Sequence, residues 1–220
     1  MSSIRAVVFD FDGVLADSEP LHLRAYQDVL PAMGITLTRE EYYQDLLGYN
    51  DEDCFRIMAR TRGWEADESQ VTAFTEQKGR VFERMLLDGD TLYPGAAQCV
   101  ERMAAAFPLG IASGARKHEI LLMLQRARLD RHFRFIVGSG DTPNSKPAPD
   151  PYIRAAERHG LPPQACVAIE DSHWGLESAR AAGLRTVGIT HTYPADQLGV
   201  AEVVITSLAE FTPELVLSMG

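Results

Sequence analysis

At 220 residues and 45% hydrophobic content, the chain can bury a sizeable core and suits one or two domains. Its formal net charge of −10 argues against nucleic acid or an anionic membrane as the main partner. The same charge is compatible with a phosphorylated substrate, because a bound metal ion and one lysine can reverse the field locally.

In chain order, the first element is the apolar start of Val7-Val8-Phe9-Asp10-Phe11-Asp12-Gly13-Val14, whose β-branched and aromatic residues read as a buried strand. Gly13 then releases the chain into a turn. Two carboxylates at the tip of a buried strand are costly unless something uses them, and ligands in open α/β sheets sit at the carboxyl ends of the strands. Asp10 and Asp12 are therefore the first candidates for chemistry. Taken alone, Asp-x-Asp-Gly also suits a calcium loop or a plain turn.

Residues 17–90 carry no convincing strand and read as an all-helical insert. Thr38-x-x-Glu41 and Asp67-x-x-Gln70 are capping boxes that open helices. Leu21, Ala25, Tyr26 and Val29 follow helical spacing, as do Phe55, Ile57, Met58 and Ala59 less cleanly. Phe74, Val81, Phe82, Met85 and Leu86 predict a long helix ending at Asp88-Gly89. From Leu92 onward helices and strands alternate, with strands expected at 107–112, 134–137, 165–169, 186–189 and 203–205. Ser207-x-x-Glu210 is expected to cap the last helix.

Three polar signals follow those strands: Ser113-Gly114, Lys146-Pro147 and Glu170-Asp171-Ser172. If the strands are parallel, these signals and the Asp10 pair meet at one edge of the sheet. Such a group of carboxylates, a hydroxyl, an ammonium and free amides suits a hard divalent cation and a phosphate group.

Asp10-Phe11-Asp12-Gly13-Val14, Ser113-Gly114, Lys146-Pro147-Ala148-Pro149-Asp150 and Ile169-Glu170-Asp171-Ser172, in this order, resemble the four signature motifs of the haloacid dehalogenase-like hydrolase superfamily. More narrowly, the chain is similar to the phosphoglycolate phosphatase and β-phosphoglucomutase branch, which has a helical cap inserted after the first motif. The resemblance runs from residue 4 to about residue 190. It implies an α/β fold with a Rossmann-like parallel sheet core, built from residues 1–16 and 91–220, and a helical cap over 17–90. The implied shape is a body with a hinged lid.

The roles implied by the resemblance follow the needs of phosphoryl transfer. Asp10 is the nucleophile that forms an aspartyl-phosphate, and Asp12 protonates the leaving alcohol and then activates water. Mg2+ is held by Asp10, the main-chain carbonyl of Asp12, and Asp171, with Glu170 a further ligand directly or through water. Ser113 with the amides of Gly114 and Ala115 grips phosphate at the start of the next helix, and Lys146 bridges phosphate and Asp10. Each residue has a plainer reading. Asp12 suits a turn, Ser113 and Asp171-Ser172 suit helix caps, Glu170 suits a solvated group, and Lys146 suits the protein surface.

An aspartate two residues after the nucleophile is absent from true dehalogenases and phosphonatases of the superfamily, so Asp12 favours phosphate monoesters. His22 stands where the mutase branch has a histidine, yet Leu47-Gly48-Tyr49-Asn50-Asp51 offers no cation for a second phosphate. A phosphatase is therefore expected over a β-phosphoglucomutase-type enzyme or a catalytically silent regulator on the same fold. Its substrate would be a small phosphorylated metabolite such as a sugar phosphate or phosphoglycolate, read by cap residues among His22, Tyr26, Tyr49, Asn50, Lys78 and Arg80.

Other signals are set aside. Gly138-Ser139-Gly140 lacks the third glycine of a dinucleotide loop, and the six histidines form no zinc-like pair. Cys54, Cys99 and Cys166 are scattered, which suits reduced cytosolic thiols. The opening Met-Ser-Ser-Ile-Arg has no secretory pattern, and no apolar run nears the roughly 20 residues of a membrane helix. A cytoplasmic monomer or homodimer with no nucleic-acid or membrane partner is the expectation.

Overall fold

Strand β1 (Ala6–Phe9) is buried along its whole length, and it lies at the centre of a parallel sheet. The computed structural model describes residues 3–47, 49–64, 66–89 and 91–220. Gly48 of the cation-poor cap segment and Asp90, the expected last residue of the insert, lie outside them. The chain divides into two compact units, Met1–Asp17 with Thr91–Gly220, and Ser18–Asp90.

The first unit adds α5 (Ala96–Ala104), β2 (Leu109–Ala112), α6 (Lys117–Arg126), β3 (Phe133–Val137), α7 (Asp150–His159), β4 (Cys166–Glu170), α8 (His173–Ala182), β5 (Arg185–Ile189), β6 (Val203–Ile205) and α9 (Pro213–Ser218). Its six strands lie in the order β3-β2-β1-β4-β5-β6, and every neighbouring pair is parallel. The short apolar runs at β1 and β4 fit such a sheet, because its central strands are covered on both faces. Alanines supply much of that cover. Ala155 and Ala156 of α7 and Ala179 and Ala182 of α8 join Val8 and Ala168 in one buried cluster, with Tyr152 among them.

β1 is followed in sequence by β2 on one side of it, while β4 pairs on the other side. The strand order therefore reverses between β1 and β4, and a crevice opens at the carboxyl ends of strands at such a switch. Phe9 is in register with Ile169, so residues 10 and 170 leave the sheet side by side.

The second unit contains α1 (Glu19–Val29), α2 (Arg39–Glu41), α3 (Asp51–Arg62) and α4 (Glu68–Asp88), and no strand among its described residues. Both expected capping boxes are formed: Thr38 with Glu41, and Asp67 with Gln70. α3 starts on an Asn50 cap and stops at Gly63, whose φ of 65° suits glycine. Tyr26, Phe55 and Phe82 are fully buried. Among the described residues, no helix is long and apolar enough to cross a membrane.

Two elements differ from expectation. The strand expected from 107 begins at Leu109, after Pro108, which has no N–H for a ladder. Ser207-x-x-Glu210 opens no helix; Glu210 instead accepts from the amide and hydroxyl of Thr206, at 3.1 and 2.7 Å. The last helix is α9, capped by Thr212 with Pro213 in its first turn, where the missing N–H costs nothing.

Candidate active site

Asp10 is the first residue beyond β1, and its amide donates to the Ile169 carbonyl at 3.0 Å. Its side chain is buried, and Oδ1 accepts from Lys146 Nζ at 2.8 Å. Lys146 lies in the loop between β3 and α7 and also donates to Glu170 Oε1 at 2.6 Å. The ammonium therefore bridges the residue after β1 and the last residue of β4.

Glu170 is fully buried and well supplied with donors. Tyr152 Oη donates to Oε1 at 2.7 Å, and Ser172 Oγ lies 3.2 Å from Oε2. Ser172 also caps α8 by accepting from the Gly175 amide at 3.1 Å. Asp171 is buried too, and ligand oxygens of Asp10, Glu170 and Asp171 all lie within 4.8 Å of one another.

Two glycines leave room for this group. A Cβ on Gly13 would sit 1.9 Å from Asp171 Oδ2, and one on Gly175 would sit 1.9 Å from the Glu170 carboxylate. Gly13 also has a φ of +79°, which other residues rarely adopt.

Packing three carboxylates together away from water shifts their protonation. Burial, followed by the charge of Glu170, raises Asp10 from 3.8 to about 7, against the pull of Lys146. Burial, then Glu170 and Asp10, raises Asp171 well above the carboxylate range, while a hydrogen bond from Thr192 opposes the rise. Burial alone lowers the Lys146 ammonium, but Asp10 and Glu170 outweigh it and hold the group above its ordinary value. Three buried carboxylates with one ammonium leave negative charge uncompensated, and hard oxygen donors of this kind fit a divalent cation.

The remaining core candidates line the same strand ends. Asp12 is half-buried in the turn after Asp10, where it forms a bridge with Ala16. Ser113 follows β2 and is buried, and its hydroxyl accepts from the Ala115 amide at 3.1 Å. Gly114 is exposed, with open space where a Cβ would stand. These residues lie in a turn ahead of α6, whose cap position is Arg116, rather than within the helix's first turn.

The cap candidates are engaged within the helical unit. Lys78 is fully buried, donates to Asp51 Oδ1 at 2.6 Å, and lies 2.5 Å from His22 Nδ1. Tyr26 Oη donates to the same Asp51 oxygen at 2.8 Å, and His22 stacks on Phe82 with centroids 4.0 Å apart. Burial, then the Lys78 charge, lowers His22 to about 3, so its ring is neutral and Nδ1 accepts from the ammonium. Asn50 caps α3 by accepting from the Asp53 amide at 2.9 Å, Tyr49 is exposed, and Arg80 pairs with Glu76 at 3.7 Å.

Sequence reasoning missed Tyr152, Thr192, Gly13 as a space-maker, and Gly175. A general signal was present for the first two: a buried carboxylate at a strand end needs donors, and hydroxyl side chains supply them.

The molecule is thus an α/β protein whose parallel sheet reverses its strand order beside a buried acid cluster and its lysine. The profile of the haloacid dehalogenase-like hydrolases matches residues 4–183, and the chain belongs to that family. The phosphorylated carbohydrates phosphatase of Thermotoga maritima is 31% identical over 192 residues, covering 86% of this chain and 87% of that protein. The phosphoglycolate phosphatase of Escherichia coli is 28% identical over 236 residues, covering 96% and 92%. The crystal structure of CbbY from Rhodobacter sphaeroides with xylulose-1,5-bisphosphate superposes with a TM-score of 0.85 at 26% identity, covering 97% of this chain and 99% of that one.

Proposed function

We propose that the chain is a Mg2+-dependent phosphatase that hydrolyses a small phosphate monoester, a sugar phosphate or a phosphoglycolate-like acid, through an aspartyl-phosphate on Asp10. The observation that carries this reading is the Lys146 bridge: one ammonium bonds Asp10 at 2.8 Å and Glu170 at 2.6 Å beside the buried carboxyl of Asp171. The names of the relatives, which act on phosphorylated carbohydrates and phosphoglycolate, support the substrate class.

In the first half-reaction, an Asp10 carboxylate oxygen attacks phosphorus in line and the ester P–O bond breaks. Asp12 gives its proton to the departing alcohol oxygen. In the second, Asp12 takes a proton from water as that water attacks the phosphorus of the acyl phosphate. The Asp10–phosphorus bond breaks, and inorganic phosphate leaves.

Lys146 is held in place by Glu170 and meets the charge of both Asp10 and the phosphoryl oxygens. Ser113, with the amides of Gly114 and Ala115, binds the remaining phosphate oxygens. Asp10, the Asp12 carbonyl and Asp171 would hold Mg2+, which when bound neutralises phosphoryl charge. Glu170 acts on that ion less directly, since Lys146, Tyr152 and Ser172 already bond its oxygens.

The test is turnover of p-nitrophenyl phosphate and of a panel of sugar phosphates and phosphoglycolate, with and without EDTA. Phosphate release that needs Mg2+ and is lost in Asp10→Asn is expected. Undiminished turnover in that variant refutes the nucleophile assignment, and isomerisation of a sugar phosphate without phosphate release refutes hydrolysis.

A further inference from the structure

The turn after β1 has a partner that the mechanism above does not use. The Gly13 amide donates to the Ala16 carbonyl at 2.8 Å, while the Gly13 carbonyl lies 2.9 Å from His191 Nδ1. A carbonyl can only accept, so Nδ1 carries the proton. The imidazole is braced in turn: Tyr93 stacks on it with centroids 4.0 Å apart and planes 25° from parallel.

Tyr93 is tied to the same segment, because its amide donates to the Leu15 carbonyl at 3.0 Å, next to the Ala16–Leu92 bridge. The residue after His191 reaches the acid cluster: Thr192 hydrogen-bonds Asp171, and its Oγ1 would lie 2.9 Å from a Cβ on Gly13. Two consecutive residues beyond β5 thus hold the turn that carries Asp12 and the carboxylate that faces it.

We propose that His191 is a positioning residue: its Nδ1–H anchors the Gly13 carbonyl and thereby orients the Asp12 carbonyl toward the acid cluster. Glycine has the softest backbone dihedrals in the chain. Fixing the carbonyl on its far side removes rotational freedom that the Asp12–Gly13 peptide on its near side would otherwise share. The catalytic consequence rests on the phosphatase reading; the anchoring does not.

Two variants separate the donor from the ring. His191→Phe keeps a ring for Tyr93 and drops the donor, whereas His191→Asn keeps a donor near the Nδ1 position and drops the ring. Deuterium exchange of the 10–17 peptide in metal-free protein should be at least about tenfold faster in H191F and close to wild type in H191N. Outer-shell groups at metal sites are commonly worth about 10–100-fold in affinity or activity, so calorimetric Mg2+ binding should weaken on that scale in H191F. Its kcat should fall similarly with KM within about twofold, and H191N should recover most of both.

Wild-type exchange and Mg2+ affinity in H191F overturn the proposal. Equal impairment of both variants also overturns it, by assigning the role to ring packing. If the wild-type protein hydrolyses no phosphate ester, the phosphatase reading fails, while exchange and Mg2+ binding still decide the role of His191.

Discussion

Replacing Asp10 with asparagine should abolish turnover and, in metal-free protein, raise stability in a pH-dependent way. The carboxyl is displaced from 3.8 to about 7, chiefly by burial and then by Glu170. At 1.36 kcal/mol per pH unit, keeping it ionised in the folded state costs roughly 4 kcal/mol once the pH exceeds both values. The sign follows from the direction: the folded state holds this proton more tightly than the unfolded chain. The wild type therefore pays no penalty below about 3.8, and loses stability as the pH rises toward about 7. The amide has no such dependence, and Lys146 keeps its bond to Glu170 at 2.6 Å. The displacement to about 7 already includes the pull of Lys146, so the gap between the two proteins should widen by roughly 4 kcal/mol between pH 4 and pH 8. For a chain of this size that corresponds to about 8–16 °C in Tm. Thermal denaturation in EDTA at pH 4 and pH 8 measures it, and excess Mg2+ should stabilise the wild type at pH 8 but not D10N. A constant difference between the two proteins across that range, or equal stabilisation by Mg2+, would refute the reasoning.

Three further outcomes follow from the buried charges and close contacts of the two units. Gly175→Ala places a Cβ 1.9 Å from the Glu170 carboxylate and must displace it, and with it Lys146; since misplacement by about 1 Å can cost about 10²-fold, kcat should fall on that scale with the circular dichroism spectrum unchanged. Mg2+ binding should release at least about one proton at pH 6, because Asp10 titrates at about 7 and burial also raises Asp171, and fewer as the pH rises; calorimetry in buffers of different ionisation enthalpy reads the number, and no buffer dependence at pH 6 contradicts the clustered-carboxylate account. In the helical unit, Lys78→Met leaves the Asp51 charge without its ammonium, so thermal unfolding should register a loss of about 3–5 kcal/mol, whereas the Lys78→Met, Asp51→Leu double variant should recover most of it.

The strands that carry the chemistry were legible because their residues are of one kind. Ala6–Phe9 and Cys166–Glu170 are apolar runs that end abruptly in carboxylates, and that contrast survives in one dimension. Helix starts were legible where the signal is local, as at Thr38 with Glu41 and Asp67 with Gln70. The same pattern misled at Ser207, where Thr206 captured the Glu210 carboxylate and Pro213 set the helix start further on. Tyr152 and Gly175 were hidden because each acts on Glu170 through packing between α7, α8 and β4, which spacing does not encode. Lys78 reads as a substrate-contact candidate of the cap until Asp51, in another helix, is seen to bury with it.

The arrangement around Lys146 has an electrostatic logic beyond any single contact. Counted with every group ionised, Asp10, Glu170, Asp171 and Lys146 carry three negative charges and one positive charge. A site left in that state repels a dianionic phosphate, and opposed unit charges 4 Å apart are worth about 4 kcal/mol at an effective dielectric of 20. One divalent cation cancels the excess. A further lysine could cancel only half of it, and a lysine in place of Glu170 would cancel it but remove the anchor that holds Lys146 beside Asp10. Glu170 therefore earns its buried position by setting the charge balance as well as by bonding: it keeps the ammonium in place and leaves a deficit that matches a divalent ion. Tyr152 and Ser172 make that burial tolerable, since a fully buried carboxylate without donors would be protonated instead.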